Sequence, residues 1–184
     1  QYYLTMVVIP LNAGNILPGS GWHNAGASVN ISATANNGYR FYKWVGTGSG
    51  SYSGTENPAT VTVNGPVTEV ASFEELYQVA FTESGLPIGA QWSAPLNGTT
   101  KSSNASTITF EVPAGTYAFS VGPVSGYSVL PSSGTLTVSS NISQEITFSQ
   151  LKAVTFTETG LPAGASWSVT LNRVTKTSTN STIT

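Results

Sequence analysis

The sequence predicts an all-β chain of tandem small β-sandwich modules, immunoglobulin-like in kind, with a β-grasp-like arrangement as an alternative for the first module. Three observations predict it. Apolar and polar residues alternate over short segments, the two-residue period of a strand with one wet face. Gly, Pro and Asn clusters interrupt these segments at about 8–12-residue spacing, as turns between short strands do. No useful stretch carries the 3.6-residue period of an amphipathic helix.

Read in order, residues 1–75 form a first module. Leu4–Val8 is apolar and stops before Pro10. Ala27–Ala33 is the clearest strand, with Ala27, Val29, Ile31 and Ala33 facing one way and Ser28, Asn30 and Ser32 the other. Tyr39–Trp44 is an aromatic strand, Gly46–Gly54 is a Gly/Ser loop, and Val61–Val63 with Ala71–Phe73 closes the module. Glu74-Glu75 marks the junction, read as a very short linker.

Residues 76–151 form a second module. Gly85-Leu-Pro-Ile-Gly89, Asn97-Gly98, Pro113-Ala-Gly115 and Pro131-Ser-Ser-Gly134 are its turns. The inward positions are Val79/Phe81, Trp92/Leu96, Ile108/Phe110/Val112, Tyr117/Phe119/Val121, Leu136/Val138 and Ile146/Phe148. From residue 79 the chain repeats itself. Val79–Trp92 returns as Val154–Trp167, displaced by 75 residues, and the gapless match holds to Ser106–Thr109 against Ser181–Thr184. About 20 of 33 aligned positions are identical. Residues 152–184 are therefore an incomplete second copy, expected either to belong to a longer protein or to be completed by strands of another chain.

Composition limits the function classes. Charged residues make up 8% of the chain, against about 25% in ordinary soluble proteins, and 50 Ser and Thr residues supply the polar surface instead. Six scattered basic residues and a net charge of −2 give no footprint for nucleic acid. The longest apolar run, Met6–Ile9, is far short of the roughly 20 residues of a membrane helix. Cysteine is absent, and so are disulfides and thiolate metal sites. Aspartate is absent too, which removes paired-Asp catalysis, the usual serine triad and EF-type calcium loops.

What remains is poor material for catalysis, and the chain reads as a non-enzyme with no cofactor and no metal. His23, the lone histidine, lies in a Gly-rich turn with no orienting carboxylate nearby in sequence. The Gly46–Gly50 run lacks the Lys-Ser/Thr that a phosphate loop needs. Glu83 and Glu158 precede the same Gly-Leu-Pro turn in both copies, a pattern that suits bonding of turn amides. Trp44, Trp92 and Trp167 suit core anchors, whereas Tyr2, Tyr3, Tyr42 and Tyr52 are candidates for exposed, sugar-stacking aromatics. Lys43, in an apolar strand, raises the alternative of an intramolecular isopeptide bond with an Asn and a Glu. Five N-x-Ser/Thr acceptors, at Asn30, Asn97, Asn104, Asn141 and Asn180, are candidate glycosylation sites and point, with the low charge, to secretion.

Two resemblances follow from particular residues. Leu4–Val8, Pro18–Trp22, Asn24–Gly26, Val29–Ala33, Gly38–Phe41, Trp44 and Val61–Val63 resemble the divergent internalin-B-type bacterial repeat of large secreted surface proteins. The Phe-Thr-Glu-Ser/Thr-Gly-Leu-Pro-x-Gly-Ala-x-Trp-Ser signature at 81–93 and 156–168 resembles the tandem repeat of archaeal extracellular proteins, including those appended to thermopsin-type acid proteases. Both resemblances imply an extracellular, cell-surface protein whose modules act as spacers, adhesive units or filament segments. Its partners would be copies of itself or other surface proteins, and glycans are a second class of partner. Ala94-Pro95 departs from Val169-Thr170 of the other copy, so strand geometry there is left open.

Overall fold

The computed structural model describes residues 1–184. All eighteen regular elements are strands: β1 (Tyr2–Ile9), β2 (Gly14–Leu17), β3 (Gly21–His23), β4 (Ala27–Ala35), β5 (Tyr39–Thr47), β6 (Ala59–Val63), β7 (Val67–Ser84), β8 (Trp92–Leu96), β9 (Thr99–Ser103), β10 (Thr107–Pro113), β11 (Gly115–Ser120), β12 (Tyr127–Leu130), β13 (Ser133–Val138), β14 (Ile142–Gln150), β15 (Phe156–Thr157), β16 (Trp167–Leu171), β17 (Val174–Ser178) and β18 (Thr182–Ile183). The chain is all-β, in tandem sandwich-like modules. No helix is long and apolar enough to cross a membrane.

The first core lies between two sheets. One is β3-β1-β7-β5, and the other is β2-β4-β6. Leu4, Ile31, Trp44, Val61, Val63 and Ala71 are fully buried between them, and Phe41 and Phe73 meet edge to face at 5.8 Å. A second sheet, not a helix, thus closes the core, which removes the β-grasp alternative. In the second module, β12-β14-β7-β10 faces β13-β11-β8-β9. Phe81 sits at its centre, 5.3 Å from the Phe119 ring and 6.0 Å from that of Phe110. Every inward position expected there is buried or half-buried.

The junction differs from its sequence reading. Glu74 and Glu75 are not a linker; they lie in the middle of β7, an 18-residue strand shared by both cores. At about 3.3 Å per residue such a strand is roughly 60 Å long. Its first half runs parallel to β1 and antiparallel to β5, and its second half runs antiparallel to β10 and parallel to β14. The physical reason is in the sequence: Val67–Ser84 contains no Gly or Pro, so no residue in it ends a ladder. Odd-numbered positions face inward in both halves, with Val67, Ala71 and Phe73 in the first core and Val79 and Phe81 in the second.

The Asn97-Gly98 hairpin forms as read. Both turn residues have positive φ, 48° and 81°, the geometry that twists with the flanking strands. The copy makes the same turn with Asn172 and Arg173, at 47° and 64°. Ala94-Pro95 and Val169-Thr170, despite their difference, occupy the same place in equivalent hairpins, β8–β9 and β16–β17.

Phe81→Ala empties the centre of the second core. A loss of about 3–5 kcal/mol is expected in urea unfolding of the full chain, whereas a substitution of the exposed Ile88 should stay within about 0.5 kcal/mol.

Candidate functional site

The repeated segment is fastened by a small set of polar contacts that recur one for one. The Glu83 carboxylate accepts from the Leu86 amide at 3.3 Å, and that of Glu158 from the Leu161 amide at 3.1 Å. Trp92 Nε1 donates to the Ala105 carbonyl at 2.8 Å and Trp167 Nε1 to that of Asn180 at 2.6 Å. Lys101 Nζ reaches the Thr109 carbonyl and Lys176 Nζ that of Thr184, at 2.7 and 2.6 Å. Both glutamates therefore bond turn amides, as their repeated position suggested. Neither belongs to a convergent polar pocket, and no group of three or more His, Cys, Asp or Glu side chains is placed to hold a metal ion.

The two copies differ in what lies over their apolar faces. Val79, Leu96 and Ile108 are covered by β11, β13 and β14, with Phe119, Val138, Ile146 and Phe148 as the contacting apolar side chains. The corresponding Val154, Leu171 and Ile183 line a groove of about 310 Å³ together with Phe156 and Val169. Gly85 illustrates the difference. A Cβ added at Gly85, φ +95°, would run into the Phe148 carbonyl, whereas one added at Gly160, with the same φ, would meet nothing within 4 Å.

The aromatics sort differently from expectation. Trp44 and Trp92 are core anchors and Trp167 is half-buried. Tyr3 and Tyr42 are exposed, but Tyr2 and Tyr52 pack against the first core. The most exposed tryptophan, Trp22 at 66%, had not been singled out. It stands opposite Tyr3 in the β1–β3 ladder, edge to face at 5.2 Å. One step along the same face, the Gln1 side-chain amide donates to Asn24 at 3.3 Å. His23 is not in a turn but in β3, half-buried opposite Tyr2. Paired with Tyr3, Trp22 lies on the face of the β1–β3 ladder opposite the buried Leu4 and its partner Gly21. Lys43 is exposed, with Nζ 5.2 Å from the Tyr42 ring.

All five candidate glycosylation asparagines are exposed. Asn30 accepts from Thr60 Oγ1 at 2.9 Å on the wet side of β4, Asn97 forms its hairpin turn, and Asn141 accepts the Gln78 amide at 2.8 Å. Asn104 and Asn180 lie between strands, after β9 and β17.

One charged residue is buried, and it was missed. Glu69 of β7 is 0% exposed. It faces Met6 on β1 and Gly46 on β5. A Cβ at position 46 would stand 2.7 and 2.8 Å from the two Glu69 oxygens, so glycine there makes room for the carboxyl. Oε1 accepts the Tyr52 amide at 2.7 Å, while Oε2 has no partner, and neither does the nearby strand's Trp44 Nε1. Burial pushes the Glu69 carboxyl above the usual carboxylate range, and the Tyr52 amide offsets part of that rise. The sequence held the signal: Glu69 has the inward parity of Val67, Ala71 and Phe73.

Residues 4–76 match the family model of the divergent InlB B-repeat domain. No curated protein sequence matches the chain. Among solved structures, the chain is similar to the Bacillus anthracis TIE protein at 10% identity and TM-score 0.38, covering 82% of this chain and 34% of that one. It is also similar to the major pilin protein T-13 of Streptococcus pyogenes, at 14% identity and TM-score 0.20, covering 66% and 64%. The chain thus spans about a third of the length of the first of these.

Glu83→Ala removes the acceptor of a turn amide without touching the core. A loss of about 0.5–1.5 kcal/mol is expected in chemical denaturation, and Glu83→Gln, which keeps an acceptor oxygen, should lose less.

Proposed function

We propose that the chain is an extracellular structural or adhesive repeat protein, a spacer or building block of a cell-surface filament, stalk or surface layer. The observation that carries this reading is β7. Because one strand is hydrogen-bonded into both cores, orientation and load pass from module to module along a ladder, with no hinge between them. The match of residues 4–76 to a bacterial repeat domain supports a repeat-module role. The Ser/Thr-rich surface and five exposed sequons favour the outside of a cell, where glycans on Asn30, Asn97, Asn104, Asn141 and Asn180 would shield it. Partners in such an assembly are copies of the chain or other surface proteins, and the role is mechanical, with no catalysis.

Residual dipolar couplings on the full chain test the rigid junction. One alignment tensor for residues 1–151 is expected, splitting into two when Gly-Ser-Gly-Ser is inserted between Glu75 and Leu76; two tensors in the unaltered chain would defeat the reading. Electron imaging of the native assembly tests the role, which requires the modules to recur along a fibre or decorate an envelope.

A second reading, modules that bind carbohydrate or a surface for a larger secreted protein such as an acid protease, is favoured by the Tyr3–Trp22 pair. The exposed Trp22 ring, with Tyr3 edge-on beside it and the Gln1 and Asn24 amides next to them, offers stacking to the apolar face of a sugar and hydrogen bonds to its hydroxyls. On this reading Trp22→Ala weakens binding on a glycan array about tenfold, equivalent to about 1.4 kcal/mol, while stability changes by less than about 0.5 kcal/mol. Equal binding by both proteins would exclude Trp22 as the platform.

A further inference from the structure

The loop between β5 and β6 is held by a carboxyl group that has no compensating charge. Residues 48–54 fold back over the edge of β5, where the Trp44 amide donates to the Gly54 carbonyl at 2.8 Å and the Gly46 amide to Ser53 Oγ at 2.9 Å. The same loop reaches the opposite sheet through the Thr62 amide, which donates to the Gly50 carbonyl at 3.0 Å. It therefore spans the two sheets of the first core. At its centre the Tyr52 amide donates to Glu69 Oε1.

We propose that Glu69, buried without a counter-charge and bonded to the Tyr52 amide, is a pH-sensitive latch: the loop stays closed while the carboxyl is protonated and opens when ionisation makes its burial cost outweigh that one amide bond. The groups facing Glu69 supply no counter-charge. Met6 stands opposite on β1 and Gly46 on β5, and the facing sheet contributes Val29, Ile31, Val61 and Val63. Titratable groups on the surrounding elements are Tyr2 and Tyr3 on β1, His23 on β3, Tyr39, Arg40, Tyr42 and Lys43 on β5, Glu74, Glu75, Tyr77 and Glu83 farther along β7, and Tyr52 and Glu56 in the loop segment. Arg40 is engaged by Glu74 at 2.7 Å, and Lys43 is exposed over Tyr42.

An ionised carboxylate sealed in this core would be a buried, unpaired charge, and such a charge costs far more than a neutral acid. Water reaches it most directly when residues 48–54 lift away. Acid costs the rest of the chain little: Arg40–Glu74 is the one ion pair, and both partners are partly exposed.

The sign follows from the direction of the shift. The unfolded chain releases the Glu69 proton near pH 4.5, and the folded module holds it to higher pH. Glu69's contribution is complete below the unfolded value. As pH rises above it, the folding constant falls about tenfold per pH unit, until the folded group ionises.

The test is residue-specific NMR on the full chain, following the glutamate side-chain carbonyl carbons against pH, together with thermal unfolding of wild type and Glu69→Gln. Glu69 is expected to titrate above the ordinary carboxylate range, and Tyr52 amide protection, corrected for intrinsic exchange, should fall with the same midpoint. Wild-type melting temperature should drop across that range, while Glu69→Gln stays flat with pH. Titration of Glu69 at its unshifted value near pH 4.5, or Tyr52 protection that ignores its midpoint, would overturn the proposal. The carbon titration needs only the wild-type chain, so it decides the matter even if Glu69→Gln fails to fold.

Discussion

An uninterrupted strand, laddered on both edges within each of its two halves, is the constraint from which the arrangement of this protein follows. β7 gives its first half to one sandwich and its second half to another, and the two sides of each half are taken by different neighbours. In each half one neighbour is parallel and one antiparallel. Parallel pairing requires the chain to leave and return over a long connection, which β2–β6 supply between β1 and β7 and β8–β13 supply between β7 and β14. The backbone groups of β7 find partners in this way without either module relying on a separate interface.

Both cores depend on the same economy. Aromatic side chains do the filling, Trp44, Phe41 and Phe73 in one and Phe81, Phe110 and Phe119 in the other, with ring centroids 5.3–6.0 Å apart. Polar contacts are few and are spent on turns: Glu83 and Glu158 on the Gly-Leu-Pro bend, Asn57 on both the amide and the carbonyl of Ala33, and Ser20 on Met6. Glu69 is the exception, a polar group placed where the pattern calls for an apolar one. Exceptions of this kind are where a fold gives up stability for behaviour.

Much of this could be read before any coordinates were known, because a strand's two-residue period leaves a direct imprint. Val29/Ile31, Phe81 and Ile146/Phe148 alternate strictly, and their burial follows. The turn at Asn97-Gly98 was legible from residue chemistry alone. Harder features were those in which two segments meet. That Glu74-Glu75 lies within a strand depends on neighbours at both edges, although the absence of Gly and Pro from Val67 to Ser84 was the available hint. Trp22 was overlooked because β3 is only three residues long and shows no alternation of its own. Glu69 was overlooked because the closing strand was read from Ala71, two residues too late to show a carboxylate in phase with the core.

The scarcity of charge has a further consequence. With a single ion pair, and with Ser and Thr hydroxyls where most proteins place Lys and Glu, little in this fold responds to the ionic atmosphere. Dissolved salt screens exposed charges, and here there are few to screen. Across moderate ionic strength such a surface keeps nearly the same electrostatic balance, so what holds water to it is the hydration of hydroxyl groups and not the repulsion of like charges.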